Sequence, residues 1–361
     1  MSAVTNHYSQ PKAMLAITKA SLRSILRSPS AIVFSIGFPL IFILVFGFLG
    51  GGKGGVNLTV GIKPGSDTVN PAYQMVRAIP GIKVITEWNQ KAAEDLSKGR
   101  ITALLAFSKS DQGVPYRINL TTSEAVKPQD VMVLQSLLNS VNTPNVVAID
   151  KNVEKVPGRI YRTIDFILPG QLGFSLLSAG IFGVAFLFFN LRQQLVLKRF
   201  FATPINRFYI VMGEGIARMI FQLMTAVIIV GLGHYVFHFT LVNGWVTFLQ
   251  ILLLSAIALV VFMGFGFIVS GVAKNESTIP PFANLVTMPQ FLLSGTFFPI
   301  ENFPKWLQPI CKILPLTHYN NAMRAISFEG ASFASVADEV GVLLIWGVAV
   351  YAAAVKFFKW E

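Results

Sequence analysis

Six long apolar stretches, Ala31–Leu49, Ile167–Leu191, Ile216–Phe237, Trp245–Val272, Pro281–Pro299 and Val340–Phe358, limit what this chain can fold into more than any motif in it. An α-helix rises about 1.5 Å per residue, so roughly 20 apolar residues match the ~30 Å hydrocarbon thickness of a bilayer. Lipid offers no partner for backbone N–H and C=O groups, and a helix satisfies them internally. The expected fold class is therefore a membrane all-α bundle of six transmembrane helices, with a small α/β domain inserted after the first. Composition agrees: 53% of the residues are hydrophobic and 13% are charged, against roughly 25% charged in an average soluble domain.

The net charge of +12 raises nucleic acid as a partner, but the placement of the basic residues answers differently. Lys12, Lys19, Arg23 and Arg27 precede the first stretch; Arg192, Lys198, Arg199, Arg207 and Arg218 lie between or at the facing ends of the second and third. Lys274 follows the fourth, and Lys356 and Lys359 end the last. If the spans alternate, all of these fall on one side, which the positive-inside bias assigns to the cytoplasm. Both termini are then cytoplasmic, the lipid bilayer is the partner, and no nucleic acid is expected. A bacterial inner membrane is the expected location. Cys311 is the only cysteine, which excludes an intrachain disulfide and a Cys-rich zinc site. The first apolar run is longer than a signal-peptide core and lacks an A-x-A site after it, so it reads as an uncleaved anchor.

Four regions follow. Residues 1–30 hold an amphipathic helix: Met14, Ile17, Leu22, Ile25 and Leu26 recur at helical spacing, with Lys19, Arg23 and Arg27 on another face and Pro29 as a stop. Residues 31–50 are the first transmembrane helix. Residues 51–165 form the extracytoplasmic domain, with strands expected at Leu58–Ile62, Lys83–Thr86, Ile101–Phe107 and Tyr116–Leu120 and helices at Gln90–Ser97 and Gln129–Asn142. Residues 166–361 form a five-helix transmembrane region with a cytoplasmic loop at 192–215 and a Pro-broken, re-entrant segment at 299–325. Prolines 299, 304, 309 and 315 rule out one regular helix there.

Gly47-Phe-Leu-Gly-Gly-Gly52-Lys53 imitates the start of a phosphate-binding loop, but Gly54 replaces the magnesium-holding Ser or Thr and the run follows a membrane helix instead of a strand. It reads as a hinge, and no nucleotide site is expected in this chain. His234 and His238 stand four apart without a nearby carboxylate or cysteine and read as interfacial aromatics, with no metal site expected. No arrangement of catalytic residues stands out, so the chain is not expected to be an enzyme. Polar stripes are more informative. Gln171 and Ser175 in the second span, and Asn284, Thr287, Gln290 and Ser294 in the fifth, recur every three or four residues on otherwise apolar helices. They either bond neighbouring helices or line a path for an amphiphilic substrate.

The segment Leu197–Gly213 is a basic, Pro-broken island between two apolar helices, fit to dock a cytosolic partner through Lys198, Arg199, Phe200, Thr203, Pro204 and Arg207. Here the order of parts resembles the type 2 ABC exporter permeases, in the subgroup with a large extracytoplasmic domain between the first two spans. Arg162-Thr-Ile-Asp-Phe-Ile-Leu-Pro-Gly170 resembles that family's entry to the second span and Lys198-Arg-Phe-Phe-Ala-Thr-Pro204 its coupling loop. Pro289-Gln-Phe-Leu-Leu-Ser-Gly-Thr-Phe-Phe-Pro299, with Leu314-Pro-Leu-Thr317 and Arg324, resembles its fifth span and outer segment. The resemblance implies a half-transporter that pairs with a second permease subunit across the second and fifth spans. It also implies a separate cytoplasmic ABC ATPase subunit that binds ATP and Mg. The chain departs from the pattern in its coupling loop, where the nearest acid, Glu214, comes after Thr203-Pro204. Two other classes fit parts of the sequence: a membrane-anchored sensor or scaffold acting through residues 51–165, and an ATP-independent exporter. The lack of an ionisable residue in the middle of any span counts against ion coupling.

Overall fold

The computed structural model describes residues 9–49, 58–69, 71–79, 81–86, 88–109, 116–126, 128–141, 147–149, 154–156, 162–194 and 204–357. The chain divides into a helical unit, Met1–Leu49 with Thr163–Glu361, and a second unit, Gly50–Arg162.

The helical unit opens with α1 (Gln10–Leu26), started by a proline in its first turn, followed by α2 (Pro29–Ile32), a π-helical turn at Val33–Gly37, and α3 (Phe38–Leu49). It resumes with α7 (Thr163–Gln193), α8 (Arg207–Phe237), α9 (Trp245–Val272) and α10 (Ile279–Leu293). Short helices α11 (Gln308–Ile313) and α12 (Pro315–Arg324) lead to α13 (Ala337–Phe357). Helix α7 lies at the centre, packed along α9, α3, α10 and α12. Gly180 of α7 faces Phe262, and Gly266 of α9 faces Val184; an added methyl at either would fall within 3 Å of these side chains, so the bare backbones set the spacing of the two helices. Outer faces are apolar: on α13, Ile345, Val348 and Val355 are 68%, 74% and 83% exposed. Such faces suit lipid or another membrane helix.

Among the described residues, four helices are long and apolar enough to cross a membrane: α7, α8, α9 and α13. Two of the six expected spans come out shorter. In the first, the α-helical hydrogen-bond ladder passes through the π turn at Val33–Gly37, and the apolar helix is confined to Ser35–Phe46. The fifth, expected to reach Pro299, ends at Leu293 after 15 residues, or roughly 22 Å at 1.5 Å per residue. Gly295 then takes φ +68, a left-handed conformation that turns the chain out of the helix.

The chain beyond α10 is irregular but bonded to protein. Arg324 at the end of α12 donates to the carbonyls of Gly295 (2.5 Å) and Phe166 (3.1 Å), with its guanidinium 3.9 Å from the Phe166 ring centroid. Asn320 Nδ2 donates to the Ser294 carbonyl (2.9 Å), and Asp165, buried at the start of α7, accepts from Thr240 N (2.8 Å). Arg324→Ala strips two carbonyls of a charged donor and is expected to destabilise the helical unit by about 1–3 kcal/mol. Thermal unfolding of the purified chain reads this, and Arg324→Lys should recover part of the loss.

In the second unit, six strands form one sheet among the described residues: β1 (Leu58–Ile62), β2 (Ile82–Ile85), β3 (Ala103–Lys109), β4 (Tyr116–Ser123), β5 (Val147–Ile149) and β6 (Glu154–Val156). The order is β2-β1-β3-β4-β5, with β6 also on β4; β3 and β4 are antiparallel and the other pairs parallel. Helices α4 (Pro71–Arg77), α5 (Gln90–Ser97) and α6 (Pro128–Val141) complete it. Its core holds Val60, Leu105, Ile118, Leu120, Leu134 and Leu138, all buried. Buried and half-buried positions alternate along Ala103–Phe107, as the two-residue period of a strand requires.

Candidate functional site: a cavity beside the N-terminal helix

Helical periodicity puts Ser175, Ser178, Phe182, Phe186 and Asn190 on one face of α7, Arg218, Phe221 and Gln222 on one face of α8, and Asn284, Thr287 and Met288 on one face of α10. These faces converge on a cavity of about 760 Å³, closed on a further side by Ser24 and Ile25 of α1, Ser28 and Ser35. Its walls are mostly aromatic and aliphatic with a few polar groups, the usual chemistry of a site for a drug-sized or lipid-like molecule. Phe38 and Phe174 on its wall begin an aromatic column through Phe291 and Phe297, with ring centroids 5.4, 3.8 and 4.7 Å apart in succession.

Polar groups in the wall are unevenly satisfied. Gln222 Nε2 donates to the Ser175 hydroxyl (3.1 Å), which donates to the Ser35 carbonyl (2.8 Å), while Gln222 Oε1 is buried without a partner. Arg218 stands in a gap made by Gly183: a methyl added there would lie 2.5 Å from Nη1. Its Nε is buried without a hydrogen-bond partner, and among the described residues it takes part in no ion pair. Glu214, one turn earlier on α8, acts on Arg218 through its charge and accepts a hydrogen bond from Ser21 of α1 (2.5 Å).

Beside the cavity, α1 is bound to the start of α8. Thr18 Oγ1 lies 3.0 Å from the Gly213 carbonyl. Gln10 donates to the Pro204 carbonyl (2.6 Å) and accepts from Asn206 N (3.0 Å), and Asn206 Oδ1 caps α8 by accepting from Phe208 N (2.9 Å). One side chain of α1 thus holds the exit of the basic loop.

Of the expected loop residues, Lys198, Arg199, Phe200 and Thr203 lie outside the described residues; Pro204 and Arg207 stand where α1 meets α8. Of the polar stripes, Ser175, Asn284 and Thr287 line the cavity. Gln290 accepts from Leu316 N (3.3 Å) at the start of α12, Ser294 is buried against Asn320, and Gln171 is fully buried with both amide atoms unbonded. Sequence reasoning passed over Arg218, Gln222 and Asn190 as site residues. The one available signal was a lone cation just inside the third apolar run. His234 Nδ1 donates to the Phe239 carbonyl (2.8 Å), and among the described residues no three ligating side chains gather.

Similarity to known proteins runs through both units. The chain is 25% identical over 168 residues to "Probable multidrug ABC transporter permease YbhR" of Escherichia coli (strain K12), covering 46% of this chain and 45% of that protein, so it matches less than half of YbhR. It is 22% identical over 392 residues to "Linearmycin resistance permease protein LnrN" of Bacillus subtilis (strain 168), covering 96% of this chain and 100% of LnrN. "Nodulation protein J" of Rhizobium meliloti (strain 1021) matches at 26% over 225 residues, 60% of this chain and 83% of that protein. The model of the family described as ABC-2 family transporter protein matches residues 29–356. With four helices long and apolar enough to cross a membrane among the described residues and a match over most of its length, this chain belongs to the ABC-2 family of transporter proteins, as an integral membrane protein.

Proposed function

We propose that the chain is the permease subunit of an exporter that moves an amphipathic or lipid-like molecule, or a drug, and that a separate cytoplasmic ABC ATPase, binding ATP and Mg, drives it. The observation that carries this reading is the junction of two features: an apolar cavity with sparse polar groups, walled in part by α1, and the clamp that ties α1 to the exit of the basic loop. A push on the loop at Arg199–Arg207 is transmitted to α1 through Gln10 and reaches the cavity wall at Ser24 and Ile25. Relatives named as multidrug and resistance permeases support the substrate class.

In this reading α1, both termini and the loop at 192–215 are cytoplasmic, residues 51–165 are extracytoplasmic, and the host membrane is a bacterial inner membrane. Substrate leaves the cavity along Asn284, Thr287 and the aromatic column toward the irregular segment after α10. A second permease subunit completes the transporter. That subunit packs across the second and fifth spans, and the exposed Phe282, Leu285 and Leu292 of α10 support a contact on that helix, whereas α7 exposes no large apolar side chain.

The test is a detergent pull-down from the native membrane, comparing wild type with an Arg199→Ala/Arg207→Ala double variant by mass spectrometry. Recovery of an ATPase subunit that the variant loses is expected. Recovery of envelope proteins without any ATPase would instead favour a scaffold acting through residues 51–165.

A further inference from the structure

Resting on the transporter reading, we infer that Arg218 makes the cavity selective for amphiphiles carrying an oxyanion, a phosphate or carboxylate, with the charged group on Arg218 and Asn190 and the tail along the Phe182, Phe186 and Phe221 wall. Three observations carry this. Arg218 is the one ionisable side chain among the residues lining the cavity, and it makes no described hydrogen bond or ion pair. Gly183 stands opposite and leaves room for the guanidinium fork where any side chain would push it aside. Glu214, the acid nearest in sequence, acts on Arg218 through its field but spends its described hydrogen bond on Ser21 and does not line the cavity, so the guanidinium fork stays open on that side.

A guanidinium among apolar groups is unfavourable when its N–H fork is left without an acceptor, because it has left water and feels only the field of Glu214, with which it makes no described hydrogen bond or ion pair. An incoming oxyanion removes that penalty, and the planar fork binds it through two parallel N–H···O bonds. A neutral amphiphile of similar tail gains the apolar contacts and leaves the guanidinium fork without an anionic acceptor. Discrimination therefore comes from the head group and affinity from the tail. A tailless anion gains only the head-group contact, against competition from water.

The full chain in a neutral detergent is titrated by native mass spectrometry with dodecyl phosphate, with the uncharged monolaurin, and with inorganic phosphate. Dodecyl phosphate should bind about tenfold tighter than monolaurin or better, from two charge-assisted hydrogen bonds, and inorganic phosphate far more weakly than either. Arg218→Gln should abolish the preference, so that the variant binds dodecyl phosphate no more tightly than it binds monolaurin. Gly183→Ala keeps the charge but moves the fork, and should weaken dodecyl phosphate alone, which guards against misfolding of the charge variant. Competition with phosphatidylglycerol separates the sources. Displacement by it assigns the oxyanion to a bilayer lipid, and resistance to it assigns a free amphiphile; each supports the site. Equal binding of the two dodecyl-chain probes, a preference that survives in Arg218→Gln, or tight binding of inorganic phosphate would overturn the proposal. Pull-down of the ATPase by Arg218→Gln is read in parallel: its recovery without charge preference sinks this inference only, whereas its absence from wild type sinks the transporter reading.

Discussion

Gly183→Leu is expected to abolish export while leaving the chain at least as stable as wild type. The two properties separate because of what surrounds the glycine. A Cβ there would meet only the Arg218 guanidinium, with Nη1 at 2.5 Å and Cζ at 3.5 Å, both at the end of a flexible side chain. The leucine therefore projects into the cavity instead of into packed core, and no backbone has to move. Replacing glycine in a helix interior by a good helix former favours the helix by up to about 1 kcal/mol. In the cavity the same substitution displaces the fork and occupies volume that substrate needs. Loss of two charge-assisted hydrogen bonds alone lowers occupancy by about tenfold or more. Thermal unfolding of the purified chain, and ATP-dependent uptake of an amphiphilic dye into inverted vesicles containing the ATPase partner, measure the two sides. Unchanged uptake would take the cavity off the transport path. Lost uptake with a lowered unfolding temperature would show a packing role for Gly183 instead.

The sequence made the helices legible because their signal is long and local. Trp245–Val272 and Gln90–Ser97 have the expected bounds, and the strand at Leu58–Ile62 likewise. Where expectation and structure part, the deciding event is smaller than the window that reads it. The apolar composition of the fifth run continues to Pro299, but the helix ends where Gly295 takes φ +68. The π turn at Val33–Gly37 changes a hydrogen-bond register and leaves hydropathy untouched. Strands β5 and β6, three residues each, exist through pairing with β4, and pairing at a distance leaves no periodicity to detect. The site followed the same rule. Spacing placed Ser175, Asn284 and Thr287 on inward faces, yet it could not tell them from Gln290, which accepts from Leu316 N near the irregular segment. Arg218 read as one more topology-setting cation because sequence gives its distance from a helix end, and not that Gly183 stands against its guanidinium.

Combining Thr18→Val with Ser21→Ala should uncouple ATP hydrolysis from export without dissociating the ATPase. Helices α1 and α8 approach closely at Gly213, where an added methyl would meet the Met14 carbonyl at 3.0 Å, and Thr18 and Glu214 on this contact are buried while Ser21 is half-buried. Thr18 shares its proton between the Met14 and Gly213 carbonyls, each at 3.0 Å, and Ser21 supplies the hydroxyl for Glu214. Removing that hydroxyl leaves a buried carboxylate short of a donor, which costs about 1–3 kcal/mol, and the threonine bond adds about 1 kcal/mol. Neither residue belongs to the loop, so ATPase binding through Arg199 and Arg207 should persist. A drop of about 2 kcal/mol in the local opening free energy corresponds to roughly 30-fold faster amide exchange in α1. Hydrogen exchange of wild type and double variant, with the ratio of ATP hydrolysed to dye moved, tests the chain of cause. Faster exchange with intact coupling would mean that force reaches the cavity through α8 itself, and unchanged exchange would mean that apolar contacts, not these hydroxyls, hold α1 in place.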